Sequence, residues 1–319
     1  MNYLKGTFNQ LLGRPAYYVI VIFLFLLLFI PLVTTDPFIL GVLVLANIYA
    51  VFATSWDILS GYTGKENFGH ALFIGVGAYA AAYLNTLLGV SPWVNLLLGG
   101  LIGAIFGFLI GLPCLPLTGP YLALATVAAA GIAERLTLIF SEYTGGEEGL
   151  YGLEPFTNSP VWDFYLSLFL LILTVIILMA IAYSKRGLLL RSILFDEAAA
   201  EASGIDTTRY KLGAFVVSAF FAGVAGAFYA HYQMYTGPAY LSIILSISVI
   251  IMSIVGGIGT IVGPVLGAYL LTILNEFLRA IGDLRLLVYS GLLVVILLFL
   301  PGGIFATIIE RLPRKGSTG

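Results

Sequence analysis

Two pairs of ionisable side chains lie within apolar stretches of this sequence, and their chemistry needs an explanation. Glu134 and Arg135 are adjacent in one stretch, and Glu276 and Arg279 are three residues apart in another. A charge at the centre of a bilayer costs about 2.5–3.5 kcal/mol on insertion scales, so each one needs a partner or a purpose. The spacing of three predicts that Glu276 and Arg279 pair on one helix face. Two interpretations stay open: structural ion pairs between helices, and a gate or polar lining for a zwitterionic substrate, for which Glu134 is the candidate.

Other catalytic chemistry has little support in the sequence. The two histidines, His70 and His231, are too few and too widely separated to predict a metal site, and we expect each to form neutral hydrogen bonds. The single cysteine, Cys114, excludes a disulfide framework and a cysteine-rich metal centre. The sequence has no G-x-x-x-x-G-K-[ST] motif and no serine–histidine or aspartate pair within an apolar stretch. We therefore expect no metal, no bound ATP and no catalytic residue in this chain.

The composition places these side chains in a membrane protein. Only 9% of the 319 residues are charged, 60% are hydrophobic, and the mean hydropathy is +1.05. A soluble domain of this size needs a polar exterior, so these values predict that the lipid bilayer is the main solvent. The net charge of −2 argues against a nucleic-acid partner, because nucleic-acid binding calls for a basic surface.

The apolar stretches predict an all-α, polytopic transmembrane bundle of about ten spans, with roughly eight to ten as the range. The predicted spans are residues 17–34, 38–60, 66–88, 93–112, 120–140, 162–183, 212–233, 240–257, 264–281 and 285–300. The second with the third, and the eighth with the ninth, are alternatively broken or re-entrant helices. The transmembrane domain covers residues 17–304, between a cytoplasmic segment at 1–16 and a cytoplasmic tail at 305–319.

The distribution of charge predicts the orientation. Cytoplasmic loops of membrane proteins carry an excess of Lys and Arg. An even number of spans puts both termini on one side, and eleven of the fourteen basic residues then fall on that side. They are Lys5, Arg14, Lys65, Lys185, Arg186, Arg191, Arg209, Lys211, Arg311, Arg314 and Lys315. The loop after the fifth span is acidic instead, with no basic residue between Glu142 and Asp163. Both termini are therefore predicted to be cytoplasmic.

The predicted cytoplasmic loop at residues 184–211 contains the signal of a short helix. Asp196, Glu197 and the alanines that follow favour a helix, and Gly204 is suited to end it. A short helix that ends in glycine at the membrane surface has a good shape for docking into a groove of another protein. An ordinary cytoplasmic connector is the alternative interpretation.

Two glycine-rich segments predict close contacts between helices. The first is "GYTGKENFGHALFIGVGAYAAAYL", residues 61–84, and the second covers residues 256–264. Glycine permits close helix approach and local unwinding, which suit either tight packing or helices that slide during transport. With His70 and Glu134, the candidates for a pathway or gate are Gly61, Gly64, Gly69, Gly75, Gly77, Gly256, Gly257, Gly259, Gly263 and Pro264. Lys65 and Glu66 are expected at the membrane interface and incidental to that pathway.

Several segments resemble, in the same order, those of branched-chain amino acid ATP-binding cassette (ABC) transporter permeases of the LivM type. The stretch "DEAAAEASGIDTTRYKLGAFVVSAFFAGVAGAFYAH" is similar to the family's EAA-type loop and following helix, and the first glycine-rich segment is similar to its "GYTG…GHA.F.G.GAY" segment. The other similar segments are "LPCLPLTGPYLALATVAAAGIAERL", "TGGEEGL", "VGGIGTIVGPVLGAYLL" and "FLPGGIF". The resemblance covers nearly the whole chain between residues 36 and 306.

The resemblance implies the permease subunit of an ATP-driven importer in a prokaryotic plasma (inner) membrane. It implies four partners: a second permease of LivH type, two cytoplasmic ATPases that hold ATP and magnesium, and an extracytoplasmic solute-binding protein. This chain would carry neither a cofactor nor an enzyme activity of its own. The residues that the resemblance assigns to coupling with the ATPases are Asp196, Glu197, Ala199, Ala200, Glu201 and Gly204.

The resemblance leaves alternatives for the substrate. Branched-chain or related hydrophobic amino acids come first, and urea or a short amide comes second, because those importers have similar permeases. An ion-coupled secondary transporter is a third hypothesis, against which the EAA-type loop argues. Glu197 and Gly204 are seven residues apart, one more than in the widely shared EAA pattern, and this longer spacing favours the branched-chain permeases. Lys65 and Glu66 depart from the relatives, which usually carry uncharged residues before "GHA".

Overall fold

The computed structural model describes residues 15–117, 119–279, 291 and 303–305, and within them the chain is mostly helical. The helices are α1 (Pro15–Leu28), α2 (Ile30–Val33), α3 (Pro37–Thr63), α4 (Ala71–Leu88), α5 (Pro92–Cys114), α6 (Pro120–Ile139), α7 (Ser141–Thr144), α8 (Pro160–Ala182), α9 (Lys185–Phe195), α10 (Glu197–Ala202), α11 (Thr207–Gln233), α12 (Ile243–Gly256) and α13 (Val262–Leu278). A 3₁₀-helix covers Pro238–Leu241, and two short antiparallel strands, β1 (Leu150–Tyr151) and β2 (Tyr235–Thr236), pair with each other. The helical class is confirmed, and the strand pair is an addition that the sequence did not predict.

Six of the described helices are long and apolar enough to cross a membrane: α3, α4, α5, α6, α8 and α11. They match the predicted second to seventh spans. Shorter apolar helices lie at the predicted first, eighth and ninth spans, namely α1 with α2, α12 and α13. The predicted tenth span, residues 285–300, and most of the two terminal segments lie outside the described residues. The span count and the cytoplasmic termini therefore stay predictions.

The predicted third span, residues 66–88, starts too early. Helix α4 begins at Ala71, after an irregular connection that we name the 64–70 turn. Gly64 adopts a φ of +69°, a left-handed conformation that favours glycine. The Asn67 side chain accepts a hydrogen bond from the Gly69 N–H at 3.0 Å and so competes with helical backbone bonding. These local interactions end the helical stretch and separate α3 from α4.

Helices α12 and α13 are likewise separated by a short interruption. Gly257 and Gly259 there adopt φ values of +120° and +75°. Ile261 adopts a φ of +62° just before α13, a conformation that is unfavourable for a β-branched residue. The predicted eighth and ninth spans are therefore two short helices separated by this interruption.

Backbone contacts divide the chain into two compact units. The first comprises the described parts of Met1–Thr54, Pro160–Leu188 and Ile251–Gly319. The second comprises the described parts of Ser55–Ser159 and Leu189–Ile250.

A buried hydrogen-bond chain links three helices of the first unit. Asn47 in α3 donates from Nδ2 to Oγ of Ser167 in α8 at 2.9 Å, and its Oδ1 accepts a hydrogen bond from the Tyr269 hydroxyl in α13. All three side chains are buried. Hydrogen bonds of this kind help to hold membrane helices together, because lipid tails are as apolar as the side chains they surround.

In the second unit, α4, α5 and α11 pack with their backbones nearly in contact. A Cβ atom on Gly77 of α4 would overlap the backbone of Gly223 in α11. A Cβ atom on Gly103 of α5 would lie 2.6 Å from the carbonyl oxygen of Ala219 in α11. Gly103 belongs to a row of α5 glycines, four residues apart, that all face α11: Gly99, Gly103, Gly107 and Gly111. This row extends the small-xxx-small pattern of membrane helix contacts, and our sequence interpretation missed it although its spacing is regular.

His231 joins the chain after β1 to the helices of the second unit. Its Nδ1 donates to the carbonyl oxygen of Glu154 at 2.7 Å, and its Nε2 accepts from Asn95 Nδ2 at 3.1 Å. A carbonyl is only an acceptor, so this arrangement assigns the neutral imidazole with the proton on Nδ1. Asn85 in α4 accepts from the Glu154 N–H at 2.9 Å and fixes the same segment. The expected neutral hydrogen-bonding role of His231 agrees with these contacts.

Replacing Gly103 with alanine is predicted to lower the stability of the protein, because the new methyl group meets the Ala219 backbone. The matched control is Gly131→Ala in α6, where a Cβ atom meets nothing within 4 Å. Without a clash, a Gly→Ala change in a helix stabilises the folded protein by about 0.5–1 kcal/mol, so the control variant keeps or raises the melting temperature. Thermal unfolding in detergent measures both. Equal melting temperatures for the two variants would contradict the backbone packing described here.

Candidate functional site

The candidate coupling helix, α10, has a defined beginning and end. Asp196 precedes it, and its Oδ1 accepts a hydrogen bond from the Ala199 N–H at 2.9 Å. Gly204 follows it with a φ of +81°, and the Ile205 N–H then bonds back to the Ala200 carbonyl at 3.1 Å. These are the helix-starting and helix-ending interactions that the residue types predict.

An ion triad holds α10 against the rest of the second unit. Glu197 Oε2 lies 2.9 Å from Lys65 Nζ in the 64–70 turn, and Glu197 Oε1 contacts Lys211 Nζ near the start of α11. The lysine side chains are 12% and 5% exposed and the shared Glu197 side chain is 32% exposed, so water screens these ion pairs less than fully exposed ones. The Thr207 hydroxyl donates to Glu201 Oε1 at 2.6 Å and adds a second contact between α10 and α11. Lys65, which we expected to be incidental at the interface, therefore contacts a predicted coupling residue.

Helix α9 leads into α10 and packs against the end of α3. The Arg191 guanidinium lies 4.8 Å from the centre of the Tyr62 ring, and its Nη2 donates to the Tyr62 hydroxyl at 3.3 Å. A Cβ atom on Gly64 would lie 2.9 Å from Leu194 Cδ1. The end of α3, the 64–70 turn and the residues entering α10 therefore form one packed surface of the second unit.

The outer surface of α10 is made of small residues and an exposed aromatic ring. Ala198, Ala199 and Ala202 are exposed, whereas Ala200 is buried. Phe195, the residue before the Asp196 cap, is 85% exposed. Sequence reasoning missed Phe195, since an apolar residue in a predicted loop has no periodic pattern to mark it.

The glycines of the first segment serve as packing contacts in the second unit. Gly69 lies against the Thr126 backbone of α6, and Gly75 lies against Leu241 after β2. Gly61 is buried in α3. His70 is fully buried, and its Nε2 lies 3.0 Å from Ser55 Oγ. These contacts agree with tight packing, and the structure leaves the role of the segment in a pathway as a prediction.

The glycines of the second segment lie in the first unit. A Cβ atom on Gly263 would lie 2.6 Å from the carbonyl oxygens of Gly256 and Gly257, so α12 and α13 meet closely at the interruption between them. Gly259 lies within the interruption, and Pro264 lies in the first turn of α13. The two glycine segments are in different units, and the common pathway predicted for them stays a prediction.

The two charged pairs singled out in the sequence differ in whether their members contact each other. Arg279 Nη1 lies 3.1 Å from Glu276 Oε1, which confirms the pair predicted from their spacing. Glu134 is half-buried in α6 and Arg135 is exposed, and neither forms an ion pair with another of the described residues. The two interpretations of Glu134, structural and gating, therefore both remain.

Comparison with known proteins identifies the family. The family model described as "Branched-chain amino acid transport system / permease component" matches residues 38–300. The chain belongs to this family. The permease is 29% identical to the LivM proteins of Salmonella typhimurium and Escherichia coli, described as high-affinity branched-chain amino acid transport system permease proteins, over 92% of this chain and 77% of each relative. It is 28% identical to a probable branched-chain amino acid transport permease protein LivH of Methanocaldococcus jannaschii, over 87% of this chain and 95% of the relative. No solved structure matches the permease.

The comparisons confirm the resemblance to LivM-type permeases that the ordered motifs indicated. The family is one of membrane transport permeases, and the helices of the chain are consistent with a multi-pass membrane protein. The surface around α10 and the glycine contacts are therefore to be understood as parts of a transport permease.

The two lysines are predicted to control the titration of Glu197 in the permease. Burial by itself raises the pKa of this carboxyl group, but hydrogen bonds from Lys211 and Lys65 outweigh it and hold the pKa below its ordinary value. A lowered folded-state pKa stabilises the fold above the ordinary glutamate value of about 4.3, and this stabilisation is lost as the pH falls through the lowered pKa.

Lys65→Met should therefore raise the pKa of Glu197 toward its ordinary value. Carbon-13 NMR of carboxyl-labelled glutamate measures it, with Glu197→Gln assigning the signal. Glu66→Gln, a charge change at the next residue of the turn, is the control and should leave the titration unchanged. An unchanged pKa in Lys65→Met would rule out the ion pair.

Proposed function

We propose that this chain is the permease subunit of an ABC importer of branched-chain amino acids in a prokaryotic inner membrane, and that α10 docks on a cytoplasmic ATPase. Its partners are a LivH-type permease, two ATPases that bind ATP and magnesium, and an extracytoplasmic solute-binding protein. Family membership supports the transport role, and the similarity to LivM proteins supports the substrate class.

The single observation that carries the docking proposal is the way in which α10 is presented. Its inner side is held by the ion triad, while its outer side exposes small alanines next to Phe195. Small side chains let a helix enter a groove deeply, and an exposed aromatic ring supplies the apolar anchor that interfaces concentrate at their centre. ATP-driven closure of the ATPases would then move α10, and with it the helices that α10 contacts.

The substrate is tested by uptake in the assembled complex. The permease, its LivH-type partner, the ATPases and the binding protein are reconstituted in liposomes, and uptake of labelled leucine is competed with isoleucine, valine or urea. We expect the branched-chain amino acids to compete and urea to have no effect. Competition by urea alone would favour the short-amide alternative, and uptake that needs an ion gradient but no ATPase would reject the ABC assignment.

Gly204→Ala is predicted to uncouple ATP hydrolysis from uptake without unfolding the permease. The position is open in space, so the effect comes only from placing alanine at a φ of +81°, which costs about 1–2 kcal/mol and distorts the end of α10. Gly213→Ala in α11 is the matched control, since its site is equally open and its backbone is helical. Uptake per ATP hydrolysed is the measurement. Equal ratios in the two variants would remove the role given to the end of α10.

Phe195→Ser is predicted to weaken the binding of the ATPases to the permease by about tenfold or more, as expected for an aromatic anchor of an interface. The affinity is measured between purified ATPase and permease in detergent. Phe140→Ser is the control, because Phe140 is also exposed but lies at the far end of α6. Unchanged binding in Phe195→Ser would show that the ring is not part of the interface.

A further inference from the structure

We propose that Lys65 is a positioning residue for transport: its ion pair with Glu197 carries movement of α10 into the 64–70 turn and so to helix α4. The inference rests on the proposed docking of α10 to an ATPase. It gives a function to the turn that connects α3 to α4, which lies far from the 184–211 loop in the sequence.

The charge balance indicates a positioning role rather than simple neutralisation. Glu197 is one carboxylate between two ammonium groups, and its contact with Lys211 already compensates its charge. Lys65 is therefore not required to compensate the charge of Glu197. The Lys65 side chain is nonetheless only 12% exposed, and its Nζ lies 2.9 Å from Glu197 Oε2. Desolvating a second lysine on the same carboxylate has a cost, so the attachment needs another purpose.

The 64–70 turn is stiff enough to transmit a displacement. Trp56 Nε1 of α3 donates to the Asn67 carbonyl at 2.6 Å, and the Asn67 N–H donates to Ser60 Oγ at 3.3 Å. Phe68 donates from its N–H to Thr126 Oγ1 of α6 at 3.1 Å. A pull on Lys65 therefore reaches a hydrogen-bonded segment rather than a loose loop.

The turn leads directly into α4, which is itself tightly held. The Ala71 N–H, at the start of α4, donates to Ser246 Oγ of α12 at 2.9 Å. Further along, Gly77 packs backbone to backbone against α11. Lys211 gives α10 a second attachment, to α11 itself. Movement of α10 is thus passed on through two ion pairs, and the one with Lys65 leads to α4 without passing through α11.

The test measures uptake per ATP hydrolysed in the reconstituted complex for Lys65→Met, Lys65→Arg and the control Glu66→Gln. Glu66 is exposed and one residue away in the same turn. We expect Lys65→Met to lower the ratio by about fivefold or more, the lower end of typical coupling between sites. Lys65→Arg should restore at least half of the ratio, because arginine keeps the cation, and Glu66→Gln should match the unmodified permease.

A double variant shows whether Lys65 acts through Glu197. In a Glu197→Gln background, Lys65→Met should change the ratio by less than about twofold, because residues that act as one pair are not additive. An undiminished ratio in Lys65→Met, equal losses in Lys65→Met and Lys65→Arg, or full additivity in the double variant would each overturn the inference. Loss of assembly in Lys65→Met with normal assembly in Glu66→Gln would also overturn it, by assigning Lys65 to folding.

The outcomes separate this inference from the proposed function. If the unmodified complex takes up leucine only with ATP and Lys65→Met behaves like it, the inference fails while the proposed function stands. If the unmodified complex does not couple ATP hydrolysis to uptake at all, the proposed function itself fails.

Discussion

The backbone contact among α4, α5 and α11, possible only where Gly77, Gly103 and Gly223 have no side chains, is the constraint on which the rest of the second unit depends. Apolar side chains gain little by leaving lipid, so membrane helices are held by close packing and by hydrogen bonds. A methyl group at these positions would push the helices apart. In this packing α4 and α11 run in the same direction and touch each other, while α5 runs in the opposite direction against both.

The position of the ion triad follows from this contact. Lys65 precedes Gly77 by twelve residues, and Lys211 precedes Gly223 by twelve. Two chain segments that run in the same direction and touch at these glycines bring the two lysines to a similar level, with Lys211 about 18 Å along its helix from the contact. Glu197 lies between them and closes the triad. The site at one end of the unit is therefore set by glycine packing in its middle.

The parts of this architecture that were predictable are those with local signals. Six spans followed from apolar length, because a bilayer imposes a minimum length on every helix that crosses it. Helix α10 was also predictable, since Asp196 and Gly204 act on residues next to them in the chain. The row of glycines that includes Gly103 was equally open to prediction from its spacing of four, and we overlooked it.

The contacts between distant segments were not predictable in this way. The pairing of Lys65 with Glu197 depends on how α4 and α11 meet, and no pattern near either residue encodes it. The start of α4 was misplaced for a related reason, because the bonds that organise the 64–70 turn include Trp56 and Thr126, which lie outside it.

The distribution of contacts on α10 also bears on whether it is a connector or a docking helix. A helix of six residues is too short to be stable alone in water, and here a cap, a terminal glycine and an ion triad all stabilise it. A connector needs only to span a distance. A short helix that is stabilised in this way and exposes its alanines therefore favours the interpretation as a docking helix.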